Sequence, residues 1–154
     1  MMVHQTMHSE SFHETCFACG DENISGLNLR FNHTAAVSTC TTSIPAAFQS
    51  YSGVMHGGIV ATLMDAAMVR CLQNKFDQDP FTCRLAVRYK TSIPTDQEIT
   101  LNASFIRRRG EMCWAVAEIL YKGKTCATAE ATFKLLRPVH HSGTIHSNIP
   151  QEKP

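Results

Sequence analysis

Tyr51-Ser52-Gly53-Val54-Met55-His56-Gly57-Gly58-Ile59-Val60-Ala61-Thr62-Leu63-Met64-Asp65 is the stretch that decides how this sequence is read. From residue 57 to about 74, apolar side chains recur at helical spacing: Ile59, Val60, Leu63, Met64, Ala67, Met68, Cys71 and Leu72. Ala61, Ala66 and Val69 leave little polar surface on the other faces, so the pattern predicts a buried helix. Asp65 is the only acid between Gly57 and Arg70. Asp is a poor mid-helix residue, and a carboxylate removed from water is costly unless it is hydrogen-bonded or protonated. Two roles fit it: a satisfied buried acid that fixes a neighbouring loop or helix, or a general base or nucleophile. Gly57-Gly58 carries a similar pair of readings. It is either a sharp loop-to-helix turn, or a place where unpaired N–H groups and the positive end of the helix polarise a carbonyl oxygen that comes close.

Outward from the helix the hydrophobic period changes. Leu27, Leu29 and Phe31 alternate with Asn28, Arg30 and Asn32, predicting a first half-buried strand; a Thr-rich strand over 37–43 follows, ended by Pro45. After the helix the period of two returns in four long strands. Cys83, Leu85, Val87 and Tyr89 share one face of the first; Leu101, Ala103 and Phe105 mark the second. Met112 to Tyr121 is the third, and Ala127, Ala129, Ala131, Phe133 and Leu135 mark the fourth. Arg109-Gly110-Glu111 and Lys122-Gly123-Lys124 supply hairpin turns. Sequential antiparallel strands and one nearly all-apolar helix describe an α+β layer with a curved sheet around that helix.

The chain of 154 residues suits one domain, assigned to 15–137, with flexible segments at 1–14 and 138–154. His140, His141 and His146 are read as part of a solvated tail rather than as metal ligands. No apolar run of about 18 residues is present, so no membrane-spanning helix is expected. The first residues lack signal or transit character, and a cytoplasmic location is expected. A net charge of +1 speaks against broad binding to nucleic acid or anionic lipid. The seven cysteines, an odd number scattered through apolar patterns, are read as reduced packing residues.

Gly57 and Asp65 lie eight residues apart, roughly 12 Å along a helix, so they cannot reach one carbonyl group together. If both act in catalysis, the N–H of one chain must meet the Asp of another across a symmetric interface.

These residues resemble the PaaI-like (phenylacetyl-CoA thioesterase-like) branch of the hotdog-fold acyl-CoA thioesterases. The signature of that branch is an HGG turn and an Asp nine positions after the His, here His56, Gly57, Gly58 and Asp65. CFACGDENISGLNLRF, the RRRGE hairpin and the Ala-rich last strand extend the likeness over nearly all of 16–136. The resemblance implies a sheet wrapped round the helix, a homodimer or homotetramer, and an acyl-CoA substrate. It gives Gly57 N–H the task of polarising the thioester carbonyl, and makes the partner chain's Asp65 the base or nucleophile. Thr82 matches the position that orients the water, although strand parity puts it opposite Cys83 and Leu85, where a surface Thr fits as well. Two departures stand out. Ser50 replaces an Asn that helps hold the thioester oxygen in relatives, and Ala66 follows Asp65 where relatives often carry Glu. His56 is expected to shape the turn rather than act as base.

A thioester needs a positioned water, a base and an oxyanion donor, because thiolate leaves without prior protonation. No cofactor is expected, and neither a G-x-S-x-G elbow, a P-loop nor a dinucleotide fingerprint is present. Cys16-x-x-Cys19 has no second Cys pair at suitable spacing, so no metal site is expected, and the pair is read as a structural loop. Arg107 and Arg108, with Arg109, are either a solvated hairpin or contacts for the CoA phosphates. Gly58 would let substrate approach, and Met64, Met68 and Phe81 are expected to set the depth of the acyl pocket. Two other classes stay open: a non-catalytic acyl-CoA-binding sensor or assembly subunit, and a structural dimerisation module.

Overall fold

The computed structural model describes residues 13–136. The expectations for the two end segments, His140, His141 and His146 included, lie outside the described residues except at His13 and Glu14. In chain order the elements are β1 (Asn32–His33), β2 (Val37–Ser43), a 3-10 turn (Ala46–Phe48), α1 (Gly57–Phe76), β3 (Asp79–Tyr89), β4 (Glu98–Arg109), β5 (Met112–Tyr121) and β6 (Lys124–Leu136). The six strands form one antiparallel sheet ordered β1-β2-β4-β5-β6-β3, and α1 packs against β2 through β6.

Local chemistry explains these boundaries. Glycine at the β4–β5 turn, Gly110, has φ +60°, and Lys122-Gly123 at the β5–β6 turn has φ 49° and 76°. Two successive left-handed residues match the right-handed twist of the strands they join. Asp77 closes α1 in the left-handed region, with its N–H on Gln73 O. Leu63, Met64, Met68 and Leu72 of α1 are fully buried against Leu101, Ile119, Phe133 and Leu135 of the sheet. Each such side chain contributes about 1.5–3 kcal/mol of burial.

The expected first strand is corrected. Leu27 and Leu29 are buried as the alternation requires, but Asn28 between them sits at φ 53° and no ladder forms there. The N–H groups of Leu27 and Leu29 go instead to the carbonyls of Phe17 and Ala18, and only Asn32–His33 pairs with β2.

The face assigned to Cys83 is also corrected. The register of β3 on β6 slips between Thr82 and Arg84, so Thr82 lies opposite Phe133, Leu85 opposite Ala131 and Val87 opposite Ala129. Those three β6 residues are buried. The bulge at Cys83 therefore turns Thr82 to the helix side with Leu85 and Val87, and leaves Cys83 exposed. β3 ends the sheet, so one edge of an eleven-residue strand carries backbone groups unpaired among the described residues.

Candidate active site

Thr82, aimed at α1 by the bulge, donates a hydrogen bond from Oγ1 to Asp65 Oδ1 at 2.8 Å. Burial, the larger effect, raises the Asp65 carboxyl above its ordinary value, and the Thr82 hydrogen bond opposes that rise. Asp65 is half-buried, on the side of α1 that also holds the partly exposed Ala61 and Thr62. Among the described residues it has one hydrogen-bond partner, and it keeps further acceptor capacity.

The N-terminus of α1 is built by His56. Its Nδ1 accepts from Gly58 N–H at 2.9 Å, so the ring caps the helix and a proton on the ring belongs to Nε2 in the neutral form. Ile59 and Val60 N–H both go to His56 O. Among the described residues Gly57 N–H has no hydrogen-bond partner, while Gly57 O accepts from Tyr89 Oη at 2.7 Å. Neither glycine has positive φ, so the turn itself does not demand them. A Cβ at Gly57 would meet Tyr89 at an ordinary 3.5 Å, whereas one at Gly58 would press on the His56 ring at 3.1 Å. The open space and free donor at Gly57 suit the approach of a group from outside this chain. A cleft of about 310 Å³ opens there, lined by Val54, Gly57, Val60, Tyr89, Lys90 and neighbouring residues. Tyr89 and Lys90 were missed in the sequence as site residues. The detectable signal was the aromatic hydroxyl at the end of a strand that begins beside Asp65.

The other expected residues fall at varied distances from this pair of features. Ser50 closes the 50–54 turn, with its N–H on Val54 O at 2.8 Å and its hydroxyl on the same oxygen at 3.5 Å. Gln49 is engaged by Gly53 N–H. Met64 and Met68 are fully buried in the helix–sheet core and do not line the cleft at Gly57. Phe81, beside Thr82, is 60% exposed on the sheet edge. The Arg107 guanidinium lies 3.8 Å over the Trp114 ring; Arg108 Nε donates to Gly110 O at 2.8 Å and its guanidinium sits 5.0 Å from the Phe76 ring. Through the ladders Arg109, Met112, Lys134 and Phe81 form one row across the sheet, so the arginine hairpin lies at the Thr82 end of β3, away from Gly57. All seven cysteines are free, and burial pushes the Cys19 thiol up to about 11, which disfavours a thiolate nucleophile there.

A curved antiparallel sheet around one long helix, with its single mid-helix acid held by the first strand after that helix, is a hotdog fold. Residues 52–113 match the family model of the Thioesterase superfamily, and the fold is shared with structures of that superfamily. A thioesterase superfamily protein superposes at TM-score 0.72 with 20% identity, over 79% of this chain and 60% of that one, so this chain spans only part of its length. A variant of the phenylacetic acid degradation protein PaaI from Thermus thermophilus gives 0.64 with 18% identity, over 71% and 95%. A hypothetical thioesterase from Streptococcus pneumoniae, solved with coenzyme A, gives 0.63 with 20% identity, over 70% and 88%. No curated protein matches the chain in sequence. The resemblance to PaaI-like hotdog thioesterases read from the motifs is borne out. Among the described residues no helix is long and apolar enough to cross a membrane.

Proposed function

We propose that the chain is an acyl-CoA thioesterase that hydrolyses its substrate to free acid and CoA in a site shared between two copies. The observation that carries the reading is the Asp65–Thr82 pair on one stretch of β3 and the free Gly57 N–H, anchored through Tyr89, on the other. Because α1 runs unbroken from Gly57 to Phe76, the donor and the acid of one chain stay roughly 12 Å apart. The open edge of β3 relieves this. Antiparallel pairing of that edge with its twofold copy, centred near Leu85 and Ala86, sets the Thr82 end of one chain beside the Tyr89 end of the other.

In such a site the thioester oxygen accepts from Gly57 N–H at the positive end of α1, which stabilises the charge that grows on it. Asp65 of the other chain takes a proton from water held by Thr82, the water oxygen bonds to the carbonyl carbon, and collapse breaks C–S. The thiolate then takes the proton from Asp65, leaving acid and thiol. A carboxyl raised by burial suits this use, since a base works best when its proton affinity approaches the working pH. The solved complex of the Streptococcus relative with coenzyme A supports CoA as the leaving thiol. Lys90 at the cleft, and Arg107 and Arg108 at the hairpin, offer positive charge for its phosphates.

Ser50 favours a second reading, the acyl-CoA binder without turnover, because its hydroxyl is spent on its own turn. Incubating the protein with a panel of acyl-CoAs and a thiol reagent separates the two. Release of CoA that disappears in Asp65→Asn is expected; tight binding with no release establishes the binder.

A further inference from the structure

The segment ahead of β1 holds a cluster that the thioesterase reading does not use. His13, Cys16 and Cys19 each place one donor atom within 4.8 Å of the others, and Cys19 Sγ lies 4.0 Å from His13 Nδ1. A nitrogen and a sulfur, or two sulfurs, on one tetrahedral zinc sit about 3.5–3.8 Å apart, from bond lengths near 2.0–2.3 Å. The spacing H-x2-C-x2-C lacks a second Cys pair downstream; the third donor comes from upstream instead.

We propose that His13, Cys16 and Cys19 bind one divalent cation of the zinc class, with the fourth position left to water or an added ligand. Two thiolates and an imidazole are a borderline-soft set that selects zinc over magnesium or calcium, and the two thiolate charges balance the ion. The loop is already shaped for it. Cys16 N–H donates to His13 O at 3.0 Å, Gly20 N–H to Cys16 O at 2.9 Å and Glu22 N–H to Glu14 O at 2.8 Å. A Cβ at Gly20 would come within 2.4 Å of Cys16 N and of Glu14 O, so the chain folds back on itself too closely for any other residue. Arg30 clamps the far side, donating to Cys19 O at 3.3 Å and pairing with Asp21.

These two thiols pack against the core while remaining only partly buried. Cys40, Cys71, Cys113 and Cys126 are buried in the core as packing cysteines are, whereas Cys16 and Cys19 are partly open beside a partly open His13. Between them Ala18 reaches the core, and the carbonyls of Phe17 and Ala18 hold Leu27 and Leu29. A bound ion therefore braces the loop whose Phe17 and Ala18 carbonyls hold Leu27 and Leu29 at the core.

Cobalt(II) added to the full-length protein, with its thiols kept reduced by a phosphine, tests this. The expected result is one equivalent bound, with thiolate-to-metal charge-transfer absorption and the intense visible bands of tetrahedral cobalt, displaced by zinc. Cys16→Ser and Cys19→Ser weaken zinc on the order of 100-fold or more, and Cys83→Ser leaves it unchanged. If a Cys16 or Cys19 variant fails to fold, His13→Ala carries the test, keeping the charge transfer but changing the visible bands. Absence of charge transfer, or equal binding by the Cys16→Ser/Cys19→Ser double variant, overturns the proposal and assigns any binding to histidines elsewhere in the chain.

Discussion

At the scale of single residues, the burial that raises Asp65 makes stability depend on pH with a definite sign. An acid whose folded value lies above its ordinary 3.8 binds more protons folded than unfolded between the two values. Stability therefore falls as pH rises through that window, and above it the full penalty of a desolvated carboxylate is present. Asp65→Asn keeps an oxygen to accept from Thr82 and has no such penalty. Thermal unfolding should show the variant more stable than wild type at neutral pH, with the gap closing below about pH 3.8; a variant less stable at neutral pH would mean that Asp65 is a structural acid. Thr82 has its own signature. Its hydrogen bond lowers the Asp65 value, so Thr82→Val should raise it further and move the acidic limb of the kcat/KM profile to higher pH. An unmoved limb would separate Thr82 from the base.

At the scale of elements, the start of α1 offers a substitution that deletes one atom's function and little else. Gly57 is the first residue of the helix, where proline is tolerated, and His56 before it is already extended at φ −62° and ψ 135°. Gly57→Pro removes the unpartnered N–H, so kcat should fall by about 10²–10³-fold with the fold intact. Gly57→Ala, which keeps the N–H and whose Cβ fits beside Tyr89, reports separately on how closely substrate approaches. Circular dichroism and kcat on the two variants make the comparison. The same elements show what was legible in advance. The period of apolar residues gave α1 and the four long strands, because each spans enough turns or alternations to be unambiguous. Parity failed at Cys83, since a bulge inserts one residue and flips every side chain before it. It failed again at Asn28, where a left-handed residue keeps the alternation of burial and removes the ladder. Tyr89 and His13 escaped because their partners, Gly57 and the two cysteines, are met through loops and across the sheet, not through any period.

At the scale of the whole molecule, the question is whether one chain holds a complete site. Both anchors sit on β3, an edge strand whose exposed Phe81 and Tyr89 flank the proposed twofold axis. If two copies pair there, each site takes Gly57 from one chain and Asp65 from the other. Asp65→Asn and Gly57→Pro homodimers should then each be inactive, for opposite reasons. A mixed dimer of the two has one site with both defects and one with neither. Unfolding an equal mixture and refolding it makes mixed dimers half of the population, so activity should return to about a quarter of wild type. Refolding each variant alone should restore none. A mixture that stays inactive, although mass spectrometry shows mixed dimers, would place the donor and the acid in the same chain's site. That outcome would require α1 to break between Gly57 and Asp65, against its continuous run of helix.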